Sequence, residues 1–162
     1  MTTIPVNFLV NHIGASQMMF YLIDQANEMN KQGSLNASLF YSELHRPCRQ
    51  LELPAFLMME AWAQPGVSIA TSIPTTLSLL RFPGPNVRMF YVWDMSWLDN
   101  PKRYGHMTRL FRHPSLRIIA RCHHHAQIIS NNFNIEVQHI VENFQHQQLS
   151  EVIHYEYSLL KK

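Results

Sequence analysis

Apolar residues fall along this chain in two rhythms. Short runs of four to seven residues, rich in Val, Ile, Leu and Phe and closed by polar residues or Gly, occur at 6–10, 37–41, 56–59, 67–70, 87–93, 116–120 and 137–141. Runs of this length and composition predict buried strands. Between the first two, Met19, Leu22, Ile23, Ala26 and Met29 recur at helical spacing. Ser16 stands where an N-cap belongs, and Gly33 where a left-handed C-terminal residue would end the helix. Further on, Thr71 or Ser72 can cap a short helix with Pro74 in its first turn and Leu77, Leu79 and Leu80 on its apolar face, with Pro83-Gly84-Pro85 to stop it. The polar and aromatic stretch 95–114 predicts a loop with a short helix near 107–111, and 124–132 predicts another helix. The tail from Gln147 places Leu149, Val152, Ile153 and Leu160 on one helical stripe and ends in two lysines, which suit a helix C-terminus.

A strand, a helix and a second strand within about 40 residues make a right-handed βαβ unit. The alternation continues to the end. It predicts one α/β domain over residues 1–162, a Rossmann-like three-layer structure with a mostly parallel sheet of six or seven strands and residues 145–162 as a C-terminal helix. The segments 6–10 and 87–93 are almost continuously apolar, as strands covered on both faces must be, so they belong near the sheet centre.

Composition narrows the class. At 46% hydrophobic over 162 residues, the chain has material for a real core. No apolar run approaches the roughly 20 residues of a membrane span. The first residues have neither the basic flank nor the apolar stretch of a secretory signal. Two cysteines, Cys48 and Cys122, are too few for a disulfide framework, which points to a reducing, cytoplasmic setting. A net charge of +2 is too small to imply nucleic acid, and Lys102, Arg103, Arg109 and Arg112 read as a solvated face.

In an open parallel sheet the ligand crevice lies beyond the carboxyl ends of the strands. The residues that follow successive predicted strands include His12 and Gly14, Glu43, Glu60, Thr71, Asp94 with Trp97, and His123. His12, Gly14, Thr71, Asp94 and His123 are expected to line one crevice, with Trp93 or Trp97 in its wall. Such a rim suits a sugar ring, which offers apolar C–H faces and hydroxyl edges. The competing reading has His12 and His123 bonding the sheet ends and the tryptophans filling core. Glu43, Glu60 and Asp94 could pair across the rim as acid and base. Gly14 stands alone, without Gly-x-Gly-x-x-Gly or a P-loop Lys, so no nucleotide cofactor is implied. His123, His124 and His125 are adjacent and point in different directions, and no Cys-x-x-Cys or His-Glu-x-x-His occurs, so no metal site is expected. No Gly-x-Ser-x-Gly elbow is present.

Taken in order, several segments resemble the N-terminal half of retaining glycosyltransferases of the two-domain GT-B fold. Residues 67–75 look like the strand and Thr/Ser turn of that half. Residues 88–94 resemble its aromatic strand, commonly Phe-Tyr-Phe-Val-Gln-Asp, with Trp93 in place of the glutamine. Residues 118–144 look like the last strand, helix and strand before the interdomain linker. Gly14 matches the place of the family's glycine loop without its paired glycines. The resemblance implies a domain that binds an acceptor sugar or glycan, needs a separate donor-binding chain and is inactive alone. Two other possibilities stay open: a non-enzymatic descendant used for protein–protein contact or homodimerisation, and a small enzyme or nucleotide binder using the same rim.

Overall fold

In a computed structural model, which describes residues 3–83, 86–100, 102 and 104–160, the strands are β1 (Ile4–Ile13), β2 (Leu35–Leu44), β3 (Ala55–Leu57), β4 (Val67–Ala70), β5 (Val87–Val92), β6 (Leu116–Ala120) and β7 (His139–Ile140). The helices are α1 (Gln17–Gln32), α2 (Ile73–Leu79), α3 (Tyr104–Phe111), α4 (His123–Phe133) and α5 (His146–Leu159). The strands form one seven-stranded sheet in the order β3-β2-β1-β4-β5-β6-β7. Every pairing is parallel. The α/β Rossmann-like class and the parallel sheet follow the sequence pattern, and β1 and β5 flank the central β4.

Successive strand residues point to opposite faces, and the core divides accordingly. Phe8, Val10, Met89 and Tyr91 pack with α1 and α5 residues such as Leu22, Ile23, Leu149 and Ile153. Phe90, Val92 and Ile118 pack with Met107, Leu110, Phe111, Ile129 and Phe133 from α3 and α4. Leu9 and Ala70 meet Leu79 of α2 on that second side. Two sheet faces covered by helices are the three layers.

Local signals act as the sequence suggests. The Ser16 side chain accepts the Met19 amide at 3.2 Å, and Gly33 closes α1 at φ 74°. The Ser72 hydroxyl accepts the Thr75 amide at 3.2 Å to cap α2. Asn7 is a buried amide in the centre of β1; its Nδ2 donates to the Pro65 carbonyl at 3.1 Å and to Ser68 Oγ at 3.4 Å. That pair fixes β1 against β4 in the register Asn7↔Ser68.

Three elements depart from expectation. The run 56–59 divides into the three-residue β3 and a 3-10 turn, Met58–Ala63. The helix expected at 107–111 begins earlier, at Tyr104. The last strand, expected over 137–141, is only His139–Ile140. Its predecessor Gln138 has turned its side chain into the sheet, where Oε1 accepts the Ile118 amide at 3.1 Å. A side-chain amide there replaces the backbone carbonyl that a longer strand would supply. The proposed stop at Gly84 and Pro85, Arg103, and the two closing lysines lie outside the described residues.

From β1 the chain crosses to β2 on one side, and from β4 it crosses to β5 on the other. The loops that leave β1 and β4 therefore diverge, opening the sheet's carboxyl edge between them.

Candidate functional site

The loop leaving β4 is held tightly. The Thr71 amide and hydroxyl both donate to the Leu9 carbonyl, at 3.2 and 3.0 Å, which clamps the end of β4 to the middle of β1. Ser72 is occupied by its cap. The loop leaving β5 begins at Asp94, whose Oδ1 accepts both the Ser96 amide at 3.0 Å and the Ser96 hydroxyl at 2.6 Å. This Asx turn throws Trp97 back over α3 and α4, against Phe111 and Phe133 at ring separations of 5.2 and 5.8 Å. The Trp97 indole N–H returns to the Asp94 carbonyl at 2.9 Å.

Between the two loops lies an open hollow of about 160 Å³ lined by Thr71, Ser72, Pro74, Trp93, Asp94 and Trp97 among others. Of its polar groups, the hydroxyls of Thr71, Ser72 and Ser96 and the Trp97 N–H already donate or accept internally. Asp94 is exposed, and its Oδ2 makes no hydrogen bond among the described residues. The hollow thus offers the partly exposed Trp97 indole, a proline and one carboxylate oxygen with spare capacity, while Trp93 is buried beneath Arg121 and Phe144. Its volume is below the roughly 300–1,000 Å³ of a complete small-molecule pocket.

Of the residues expected to share a crevice, Thr71, Asp94 and Trp97 do so, with Trp93 in the wall. His12 and Gly14 lie toward β2, away from that lining. His12 is still within β1, opposite Glu43. Its ring meets that of His45 edge-on at 6.1 Å, and a methyl group on Gly14 would press against the His12 ring. β1 runs three residues further than its apolar pattern, which carries His12 into the sheet. His123 is exposed in the first turn of α4. The Glu43 carboxylate lies 3.5 Å from His45 Nε2, and the Glu60 side chain accepts the Leu57 amide at 3.2 Å. No cluster of three His, Cys, Asp or Glu groups suited to a metal occurs among the described residues.

Three further residues bear on this region: Arg121 and His125, which follow β6, and Tyr21 of α1, which no sequence signal marked. The Arg121 guanidinium lies 3.9 Å from the centre of the Trp93 ring, and its Nε donates to Asn143 Oδ1 at 2.9 Å. Phe144 stacks on the same indole at 5.7 Å, and Tyr21 of α1 leans on it at 6.0 Å. His125, in the first turn of α4, feels the charges of Arg121, His124 and Asp94. Burial holds its pKa below the usual histidine value, against the opposing pull of the Val92 carbonyl and the Asp94 carboxylate. Beyond Trp93 a second hollow, of about 260 Å³, is lined by Tyr21, Gln25, Glu142, Asn143 and Gln145. The bend that forms it holds Asn143 at φ 46° and Phe144 at φ 58°, left-handed conformations that non-glycine residues seldom adopt.

Comparison with known proteins adds no assignment: no family model matches the chain, and neither a curated protein nor a solved structure does.

Proposed function

We propose that this chain is the acceptor-side domain of a GT-B glycosyltransferase-like protein, which holds an acceptor sugar in the hollow between Thr71 and Asp94. A separate donor-binding domain completes the cleft. The observation that carries this reading is the pairing of indole surface with one unengaged carboxylate oxygen at the carboxyl edge of the sheet. A pyranose needs an apolar surface for its C–H face and an acceptor for its hydroxyls. The hollow's small volume and open side suit one wall of a two-sided cleft. Catalysis in such a cleft needs reactants positioned from both sides, so the domain alone is expected to turn over no UDP-, GDP- or dTDP-sugar.

The test is a tryptophan-fluorescence titration with simple glycans, in a Trp62→Phe background so that only Trp93 and Trp97 report. A saturable change that Asp94→Ala abolishes, with the circular dichroism spectrum retained, is expected. A flat titration across the panel overturns the reading.

A second reading, self-association, is favoured by a different observation. At the sheet's outer edge Leu44, Phe56, Leu57, Met59 and Trp62 are 58%, 38%, 47%, 77% and 50% exposed, a concentration of apolar surface beside the unpaired side of β3. The occupant this edge fits is a second copy of the chain, because β3 strands related by a two-fold axis meet antiparallel and bury the same side chains on both partners. Light scattering across a concentration series decides it. A dimer that Met59→Asp disrupts supports this reading, and a monomer at all concentrations excludes it.

A further inference from the structure

Two arginines, Arg117 and Arg49, meet carboxylates, whereas Arg112 donates its Nε to the Phe133 carbonyl at 2.8 Å and Arg121 stands over an indole. Arg117 meets the Glu156 carboxylate at 3.1 Å, and Arg49 meets Asp24 at 3.6 Å. Arg121 has no carboxylate within ion-pair distance among the described residues. Its guanidinium is nonetheless fixed, by the Trp93 ring beneath it and by the Nε bond to Asn143. Those contacts leave its two terminal nitrogens with no hydrogen-bond partner among the described residues. A guanidinium held by its face and its Nε has lost little further freedom when its fork is filled, so it is prepared for a planar anion. An indole under the cation also replaces some of the water it would otherwise keep.

Position adds a second argument. Trp93 lines the hollow of Thr71 and Asp94, whereas Asn143 lines the hollow of Tyr21 and Gln25. Arg121 touches both Trp93 and Asn143, so it stands on the ridge between the two hollows. A sugar whose hydroxyls meet Asp94 would carry a substituent over Trp93 toward this fork.

We infer that Arg121 is an anion-recognition residue of the carboxyl-edge site and that the ligand is an acidic sugar, its carboxylate or phosphate received by the guanidinium fork while a ring hydroxyl donates to Asp94. This rests on the proposed sugar site and narrows its ligand class. A carboxylate and a phosphate ester share the chemistry that Arg recognises, and the experiment separates them.

Glucose, glucuronate and glucose 6-phosphate are titrated into the isotope-labelled chain and followed by amide and indole N–H chemical shifts. Either anionic sugar is expected to bind at least about tenfold more tightly than glucose, a difference of about 1.4 kcal/mol, and which of the two binds better identifies the acid group. Arg121→Gln is expected to bring all three to the affinity of glucose, Arg121→Lys to restore part of the preference, and the exposed Arg81→Gln, a charge-matched control, to leave it intact. A purely structural role for Arg121 would change all three affinities together, without changing their ratio. If glucose binds and the anionic sugars bind no better, or the preference survives Arg121→Gln, the inference is overturned while the sugar site stands. If none of the three binds, both fall.

Discussion

The ring of Phe144 lies over that of Tyr91 at 3.8 Å with 19° between their planes, and the Phe144 amide donates to the Tyr91 hydroxyl at 3.1 Å. The same hydroxyl donates to the Val141 carbonyl at 2.6 Å. One phenol thus satisfies both ends of a bend that contains two left-handed residues, and that bend carries Asn143 to Arg121.

Tyr91→Phe keeps the stack but leaves a buried N–H and a buried C=O without partners. A loss of about 1–3 kcal/mol is expected, measured by urea unfolding. Burial pushes the Tyr91 phenol up to about 12 from its ordinary 10.0. The folded chain therefore holds this proton more tightly than the unfolded chain. Its contribution is complete below pH 10 and is lost as pH rises from 10 to about 12. Melting temperature is expected to fall across that window, less so in Tyr91→Phe.

His125 gives a pH effect of the opposite sense. Its depressed folded pKa means the neutral ring is favoured by folding, so its contribution is present above pH 6.5 and disappears as pH drops through the folded value. A histidine NMR titration is expected to place His125 below 6.5. Because the Asp94 carboxylate raises this pKa, Asp94→Asn is expected to lower it further. An unchanged or higher value would separate Asp94 from α4.

Glu156 is the buried carboxylate of α5, accepting from Arg117 Nε at 3.1 Å and paired with His139 Nε2 at 2.8 Å. These bonds fasten α5 to β6 and β7. Removing one partner of a fully enclosed ion pair costs roughly 3–5 kcal/mol. The Arg117 side chain is 38% exposed, so Glu156→Ala is expected to cost less, about 2 kcal/mol after allowing for screening. Denaturation of Glu156→Ala and Glu156→Gln, with the amide the milder, checks this.

Two glycines with positive φ separate backbone strain from steric collision. Gly33, at 74°, has open space around an added methyl group, and Gly33→Ala is expected to cost about 1 kcal/mol. Gly66, at 103°, would drive that methyl into the Pro5 carbonyl oxygen, where β1 passes. Gly66→Ala is expected to cost about 3 kcal/mol or more, as strain and overpacking add. Similar melting temperatures for the two variants would contradict the close approach.

Local signals in the sequence were sufficient where the structure is local. The span of α1 follows from Ser16 and Gly33, and the burial of β5 from its unbroken apolar run. The end of β7 was not legible, because it depends on Gln138 reaching the amide of Ile118 in another strand. The site divides in the same way. Thr71, Asp94 and Trp97 follow strands β4 and β5, which are neighbours, so counting from strand ends brought them together. His12 is itself among the last residues of β1, which pair with β2 rather than β4, so it faces His45. Arg121 also follows a strand, β6, but its contacts were not legible, since its partners Trp93 and Asn143 are distant in sequence and show no spacing rule.

The position of β1 in the sheet also matters while the chain is being made. Its neighbours are β2 and β4, so the strip Phe8, Leu9 and Val10 is not covered on both edges until Val67–Ala70 has left the ribosome. At roughly 5–20 residues per second, that delay of about sixty residues lasts on the order of 3–12 s. Asn7, next to the strip, carries an amide that finds its hydrogen-bond partners at Pro65 and Ser68, beside the strand that arrives late. The same residue therefore sets the register of the nascent strand against its second neighbour when that neighbour arrives.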